Sequence, residues 1–349
     1  MKRSVLTALS IAFLTAIFSA NFPHKLQAQS GKLIEDAAQT IRETTTMDPT
    51  FNVPLKTTGG TQWWTDHDDR DGFRIQQNAL TGHWRLLDPS DVRQAWGSRE
   101  SCEQKLNQIC PRAADQGTVN QPTHTVVMLH GLMRTRYCMK SLAQSIEKEL
   151  AQEGQTTCTI RFSYASTRSS ISDHAAALRE VLESQPETTQ FSFVGHSMGN
   201  IIVRHLIGDL KRDGDPVGIL PRCHAMVMLG PPNQGAAIAR RLAPTKVYGW
   251  ITGTGGLELG PQWESFSANL ATPEFPFLII AGDLSGKTVQ NPLVDGSSDF
   301  VVSVEEATLE GAQAVETFPV LHSFLMNDQA VVKRTIEFLS SHSPKSVAK

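Results

Sequence analysis

The sequence predicts an α/β protein: a mostly parallel sheet with helices on both faces, preceded by a small tryptophan-rich region. Three observations carry this prediction. From His124 onward, short apolar runs alternate with stretches of helical periodicity, the rhythm of strand–helix–strand units. The apolar runs are nearly continuous, as strands covered on both faces require. The chain is also long enough, at 349 residues with 40% hydrophobic, to bury a large core,. A net charge of -3, without a long Lys/Arg block, leaves no electrostatic footprint for nucleic acid,.

In chain order, Lys2 and Arg3 precede the apolar run Ser4–Ala20, with small residues at Ala20 and Ala28. That order reads as a signal peptide over 1–28, so the protein is expected to be exported, secreted or periplasmic. An uncleaved membrane anchor is the competing reading, because the run is only slightly shorter than a span of about 20 residues. Residues 29–120 carry Trp63, Trp64, Trp84 and Trp96 and no long periodic helix. Within them Phe73–Asp88 reads as a hairpin around a Gly-containing turn. The acidic string Asp66–Gly72 misses the spacing of a calcium loop and is expected to be a solvated turn. Export permits disulfides, and of the five cysteines Cys102 and Cys110, bracketing a short polar segment, are the expected pair,. Gly117–Thr123 reads as a linker.

The strand–helix rhythm occupies 121–349. His124–His130 and Cys158–Tyr164 are predicted strands, separated by a helix with Met139, Leu142, Ile146 and Leu150 at helical spacing,. Ile171, Ala175, Leu178 and Leu182 mark a second helix. Phe191–Ser197 is the third strand, and Ile201, Ile202, Leu206 and Leu210 mark the helix after it. His224–Gly230, Phe275–Asp283 and Ala314–Val320 are further strands, and Val332, Ile336 and Leu339 share a face of the closing helix.

The string GHSMG, Gly195–Gly199, lies where an apolar strand meets an amphipathic helix. In that context G-x-S-x-G describes a sharp turn that exposes a serine hydroxyl above the sheet, beside the positive end of a helix. With this motif, the chain from about His124 onward resembles the α/β-hydrolase superfamily, and within it bacterial secreted lipases and esterases. Three other features are similar: His130-Gly131-Leu132 at the end of the first strand of this part, LGPPNQG (Leu229–Gly235), and SDFVVSVEEA followed by LHSF.

The resemblance implies a nucleophile, acid and base in the order Ser, acid, His. Ser197 is the nucleophile. A serine hydroxyl needs an adjacent base, and of the later histidines His322, on a loop after the last strand, is favoured over His205, His224 and His342. The carboxylate that orients the base is Asp299, Asp283 or Asp295, with Asp299 ranked first because it precedes FVVS as in the lipases. The oxyanion donors expected by position are the backbone N–H groups of Leu132 and Met198, with His130 supporting their loop. Many secreted lipases place an acidic calcium ligand just after the histidine; Ser323 and Phe324 stand there in this chain. No metal or cofactor is expected.

Residues 236–275 form a long insertion with Tyr248, Trp250, Leu259, Trp263 and Phe266, readable as an apolar lid or as a plain surface excursion,. The expected activity is therefore a lipase- or esterase-like serine hydrolase of carboxylic esters, acting on small-molecule or lipid-like substrates with possible contact to a lipid surface. The same residues would serve an acyltransferase, amidase or thioesterase. A non-catalytic binding protein on a hydrolase scaffold is the alternative from another class. Oligomeric state is not legible.

Overall fold

The computed structural model describes residues 52–344 except 112–123, 153–156, 243–252, 287–290 and 292. The described residues lie within one compact unit, Pro49–Lys349. The signal-like run and the linker segment fall outside the described residues.

Ten described strands form two sheets. The smaller is an antiparallel meander of β1 (Trp64–Arg70), β2 (Phe73–Asn78), β3 (Trp84–Leu87) and β4 (Arg93–Gly97). β2 and β3 are the predicted hairpin, pairing Gln77 with Trp84 across a turn that contains Gly82. The larger sheet has the order β10-β9-β8-β7-β5-β6 and is parallel throughout. Its strands are β5 (His124–Leu129), β6 (Thr157–Phe162), β7 (Gln190–His196), β8 (Cys223–Leu229), β9 (Phe277–Gly282) and β10 (Ala314–Phe318).

Alternate residues of β5 feed two separate cores. Val127 and Leu129 pack with the helices Ile171–Glu183 and Met198–Asp213, while Val126 and Met128 pack with Lys140–Gln152 and Gln329–Ser341. Helices therefore cover both faces. The chain runs outward from β5 to β6 and then crosses to β7 on the other side of β5. This reversal opens a crevice between the carboxyl ends of β5 and β7, the place where open α/β sheets hold their ligands.

Three expectations for the N-terminal part are corrected. Asp66–Arg70 is strand and not a solvated turn: Asp66, Asp68 and Asp69 are buried. Each carboxylate has a partner that offsets the cost of burial. Asp66 accepts from Gln76 Nε2 at 2.6 Å, from Arg74 Nη1 at 3.3 Å and from the backbone N–H of Ser163 at 2.7 Å. Asp68 pairs with Arg70 at 2.9 Å and Asp69 accepts from Gly72 N–H at 3.2 Å. Second, a helix, Arg99–Ile109, occupies the segment between the two cysteines; its N-cap Ser98 accepts from Ser101 N–H. Third, Cys102 and Cys110 are both free thiols. Eight residues along a helix separate the pair by about 12 Å, beyond the Cα spacing a disulfide tolerates. Cys102 is buried with Ile75, Leu86, Ala95 and Leu106, whereas Cys110 caps the helix and donates to Asp71 at 3.1 Å.

The opposite face of the small sheet carries Asp66, Arg74, Gln76 and Arg85. Through Asp66 and Thr65 it hydrogen-bonds to the segment after β6, Thr65 Oγ1 accepting from Ala165 N–H at 3.2 Å. The four tryptophans each sit under an arginine of the same chain: Arg168 over Trp63, Arg85 over Trp64, Arg99 over Trp84 and Arg93 over Trp96.

Candidate active site

Three strand ends converge on Ser197. β7 ends at His196 and the next helix begins at Met198, so Ser197 alone makes the turn, at φ 53° and ψ -124°. A non-glycine residue in that region carries strain of about 1–3 kcal/mol. Three hydrogen bonds hold it. Ser197 N–H donates to Leu229 O at 2.8 Å, and Asn200 donates to Ser197 O from its backbone at 3.1 Å and from Nδ2 at 3.0 Å. The glycines of the motif have steric reasons. A Cβ on Gly195 would strike Asn200, and one on Gly199 would stand 2.7 Å from Leu129 Cβ and 2.9 Å from His130 O. Met198 opens the helix, so its N–H belongs to the first turn, which has no intrahelical acceptors,.

His322 follows β10, and its Nδ1 lies 2.6 Å from Asp299 Oδ2. A carboxylate accepts only, so Nδ1 is the donor and Nε2 is left able to take a proton. Asp299 is itself fixed: its Oδ1 accepts from Val301 and Val302 N–H at 3.0 and 2.8 Å, and its carbonyl accepts from His322 N–H at 2.9 Å. Both side chains are buried. Ser197 and His322 both lie against the end of β8: Leu229 binds Ser197, and a Cβ on the following Gly230 (φ 55°) would stand 2.9 Å from His322 Nδ1.

The other two candidate carboxylates have other partners. Asp283 accepts from Ser285 N–H at 2.8 Å, which holds its carboxyl below the usual range. Asp295 is exposed and pairs with Arg241 at 2.6 Å. Of the other histidines, His205 bonds to Asp209 at 3.0 Å against Phe266, His224 opens β8 and bonds to Gln190, and His342 caps the last helix. Leu132 lies in a turn after β5, closed by Arg134 N–H to Gly131 O at 3.1 Å. His130 stacks on Tyr164 with ring centres 3.9 Å apart, and the Tyr164 hydroxyl donates to the His130 carbonyl. Burial drives the His130 imidazole down to about 4.

Two connections are invisible in the sequence. His196, the x of G-x-S-x-G, bonds through Nε2 to the carbonyl of His322 at 2.9 Å, with the rings 4.8 Å apart. Burial keeps it neutral, far below the usual histidine range. A carbonyl partner makes Nε2–H the donor, so nucleophile strand and histidine loop are tied by a side chain that reads only as a strand residue. Arg134 Nη2 likewise donates to the carbonyl of Ser323 at 3.1 Å. No group of three or more His, Cys, Asp or Glu residues among the described ones is arranged to hold a metal.

The parallel sheet with its crossover at β5, the serine in its sharp turn after β7 and a late histidine have the arrangement of the α/β-hydrolase fold. Residues 119–241 match the family described as "Putative serine esterase (DUF676)", a stretch that includes Gly131, Leu132 and Ser197. Among solved structures, the chain is similar to a Bacillus licheniformis lipase, BlEst2 in mature form. Identity is 16%, coverage 64% of this chain and 96% of that one, and the TM-score 0.47. The product of gene lin2722 from Listeria innocua matches at 18% identity, over 64% and 96% of the two chains, with a TM-score of 0.44. Phospholipase PlaB from Legionella pneumophila matches at 18% identity, over 64% and 58%, with a TM-score of 0.45. No curated protein matches the sequence.

Proposed function

We propose that the protein is an exported serine hydrolase that cleaves carboxylic esters through an acyl-enzyme on Ser197. The observation that carries this reading is the His322–Asp299 bond of 2.6 Å at the strand edge where Ser197 stands in its strained turn. His322 Nε2 takes the hydroxyl proton as Ser197 Oγ attacks the carbonyl carbon. The N–H groups of Leu132 and Met198 receive the charge that develops on the carbonyl oxygen. The C–O bond to the alcohol then breaks, and the alcohol leaves with the proton from His322. Water, deprotonated by the same nitrogen, releases the acid and restores the serine. Asp299 keeps the imidazole in the right tautomer throughout.

The insertion supports an acyl-chain wall: a Cβ on Gly255 would stand 3.0 Å from Met198 Sδ, and Leu259 is buried in the adjacent core. Lipid-like esters are therefore the proposed substrates.

Purified protein is assayed on p-nitrophenyl esters from acetate to palmitate beside Ser197→Ala. The expected result is a rate loss of at least about 10³-fold in the mutant, fluorophosphonate labelling of wild type only, and a preference for longer chains. A folded wild type that neither turns over any ester nor takes the label overturns the reading. Export predicts a mature N-terminus at Gln29 by mass spectrometry of the extracytoplasmic protein.

A further inference from the structure

Gln62, in the turn before β1, reaches the loop that follows β5. Its Nε2 donates to the carbonyl of Arg134 at 2.6 Å, and its Oε1 accepts from the hydroxyls of Ser166 at 2.9 Å and Thr167 at 3.4 Å. A carbonyl can only accept, so the amide orientation is determined by its partners. Ser166 is fully buried. With its single proton directed at Gln62, its oxygen is left to accept the N–H of Met133 at 3.1 Å.

That acceptor matters because Met133 is a left-handed residue, φ 59°, in the four-residue turn Gly131–Arg134. An L-residue with a long side chain adopts this conformation at a cost. Its side chain is 53% exposed, so packing does not hold it there. Beside the turn's own Arg134 N–H to Gly131 O bond, one hydrogen bond on each side holds it: its own N–H to Ser166, and the next carbonyl to Gln62. The same turn contains Leu132, and the side chain of Arg134 extends the fixture to Ser323, next to His322.

We infer that Gln62 is a positioning residue for ester hydrolysis: the Gln62–Ser166 pair brackets Met133 and so aims the Leu132 N–H at the developing oxyanion. The inference rests on the function proposed above. It gives the tryptophan-rich part a share in catalysis without contact to substrate.

The test uses the full chain with Gln62→Met, which keeps length and loses all three side-chain hydrogen bonds, and Gln62→Glu. The glutamate retains the acceptor for Ser166 but turns an oxygen toward the Arg134 carbonyl. Both are expected to lower kcat about tenfold with KM within about twofold, since misplaced donors weaken transition-state binding selectively. Affinity for a trifluoromethyl ketone analogue falls in parallel with kcat. Ser166→Ala gives the same split and serves if Gln62→Met does not fold. The double variant is no worse than about twofold below the weaker single, because both act through one turn. Wild-type turnover unaffected by Gln62→Met, or fully multiplicative losses in the double variant, overturns this inference alone. Absence of turnover in the wild type overturns it together with the proposed function.

Discussion

In the parallel sheet most inward positions are apolar: Val126, Val127, Met128 and Leu129 on β5 are fully buried between two layers of helices. In the small antiparallel sheet, one face is apolar under the helix Arg99–Ile109, but the other holds Asp66, Arg74, Gln76 and Arg85, which are equally buried. Apolar packing tolerates exchange in kind as long as volume is kept. A buried ionic network does not, because removing one member leaves the others charged and unpaired. The large sheet is thus a forgiving frame for the candidate site, and the small one is an exacting attachment to it.

The largest expected effect lies at the edge of the forgiving sheet. Asp299→Asn keeps the shape but supplies the wrong partner for His322 Nδ1, and kcat should fall about 10⁴-fold. Urea unfolding of the same variant should move far less than activity does. Next comes the sharpest contrast between the sheets. Arg74→Met removes the guanidinium that pairs with both Asp66 and Asp91, and should cost about 3–5 kcal/mol. Met128→Leu in the parallel sheet should cost less than about 1.5 kcal/mol. Equal losses in denaturant midpoint for the two would break the comparison.

A smaller effect depends on pH. Burial pushes the Asp69 carboxyl up from 3.8 to about 6, against the pull of Arg136. A carboxyl whose folded value is raised binds its proton more tightly when folded. Its contribution is complete below pH 4 and is lost as pH rises through 6. Asp69→Asn should therefore be more stable than wild type by on the order of 1–2 kcal/mol at pH 7.5. Melting curves at pH 7.5 and pH 4 should show that gain shrinking toward zero at the lower pH. The smallest effect is a null one. All five cysteines are free, so adding a reductant should leave the melting temperature within about a degree, and thiol titration of denatured, unreduced protein should count all five.

Legibility in the sequence follows the same division. The parallel strands announce themselves because burial on both faces demands uninterrupted apolar runs, and GHSMG is readable because its two glycines answer local collisions. Among the three carboxylates Asp299 was distinguishable only by the apolar residues after it, whose N–H groups turn out to hold it. Asp66, Asp68 and Asp69 were not legible. Whether a carboxylate string is solvated or buried depends on partners such as Arg74, Gln76 and Ser163, which no local pattern supplies. The helix between Cys102 and Cys110 was hidden by its polarity, since only Cys102 and Leu106 of it are buried. His196 and Gln62 escaped for a related reason: their partners lie 126 and 104 positions away.

The carboxyl ends of β5, β7 and β8 are level, Leu129 standing opposite Gly195 and His196 opposite Leu229. Ser197 follows β7, Asp299 lies between β9 and β10 and His322 follows β10, so the proposed nucleophile, acid and base reach that edge from separate parts of the chain. If the three act together as proposed, turnover counts only molecules in which the ends of β7, β9 and β10 are all in place.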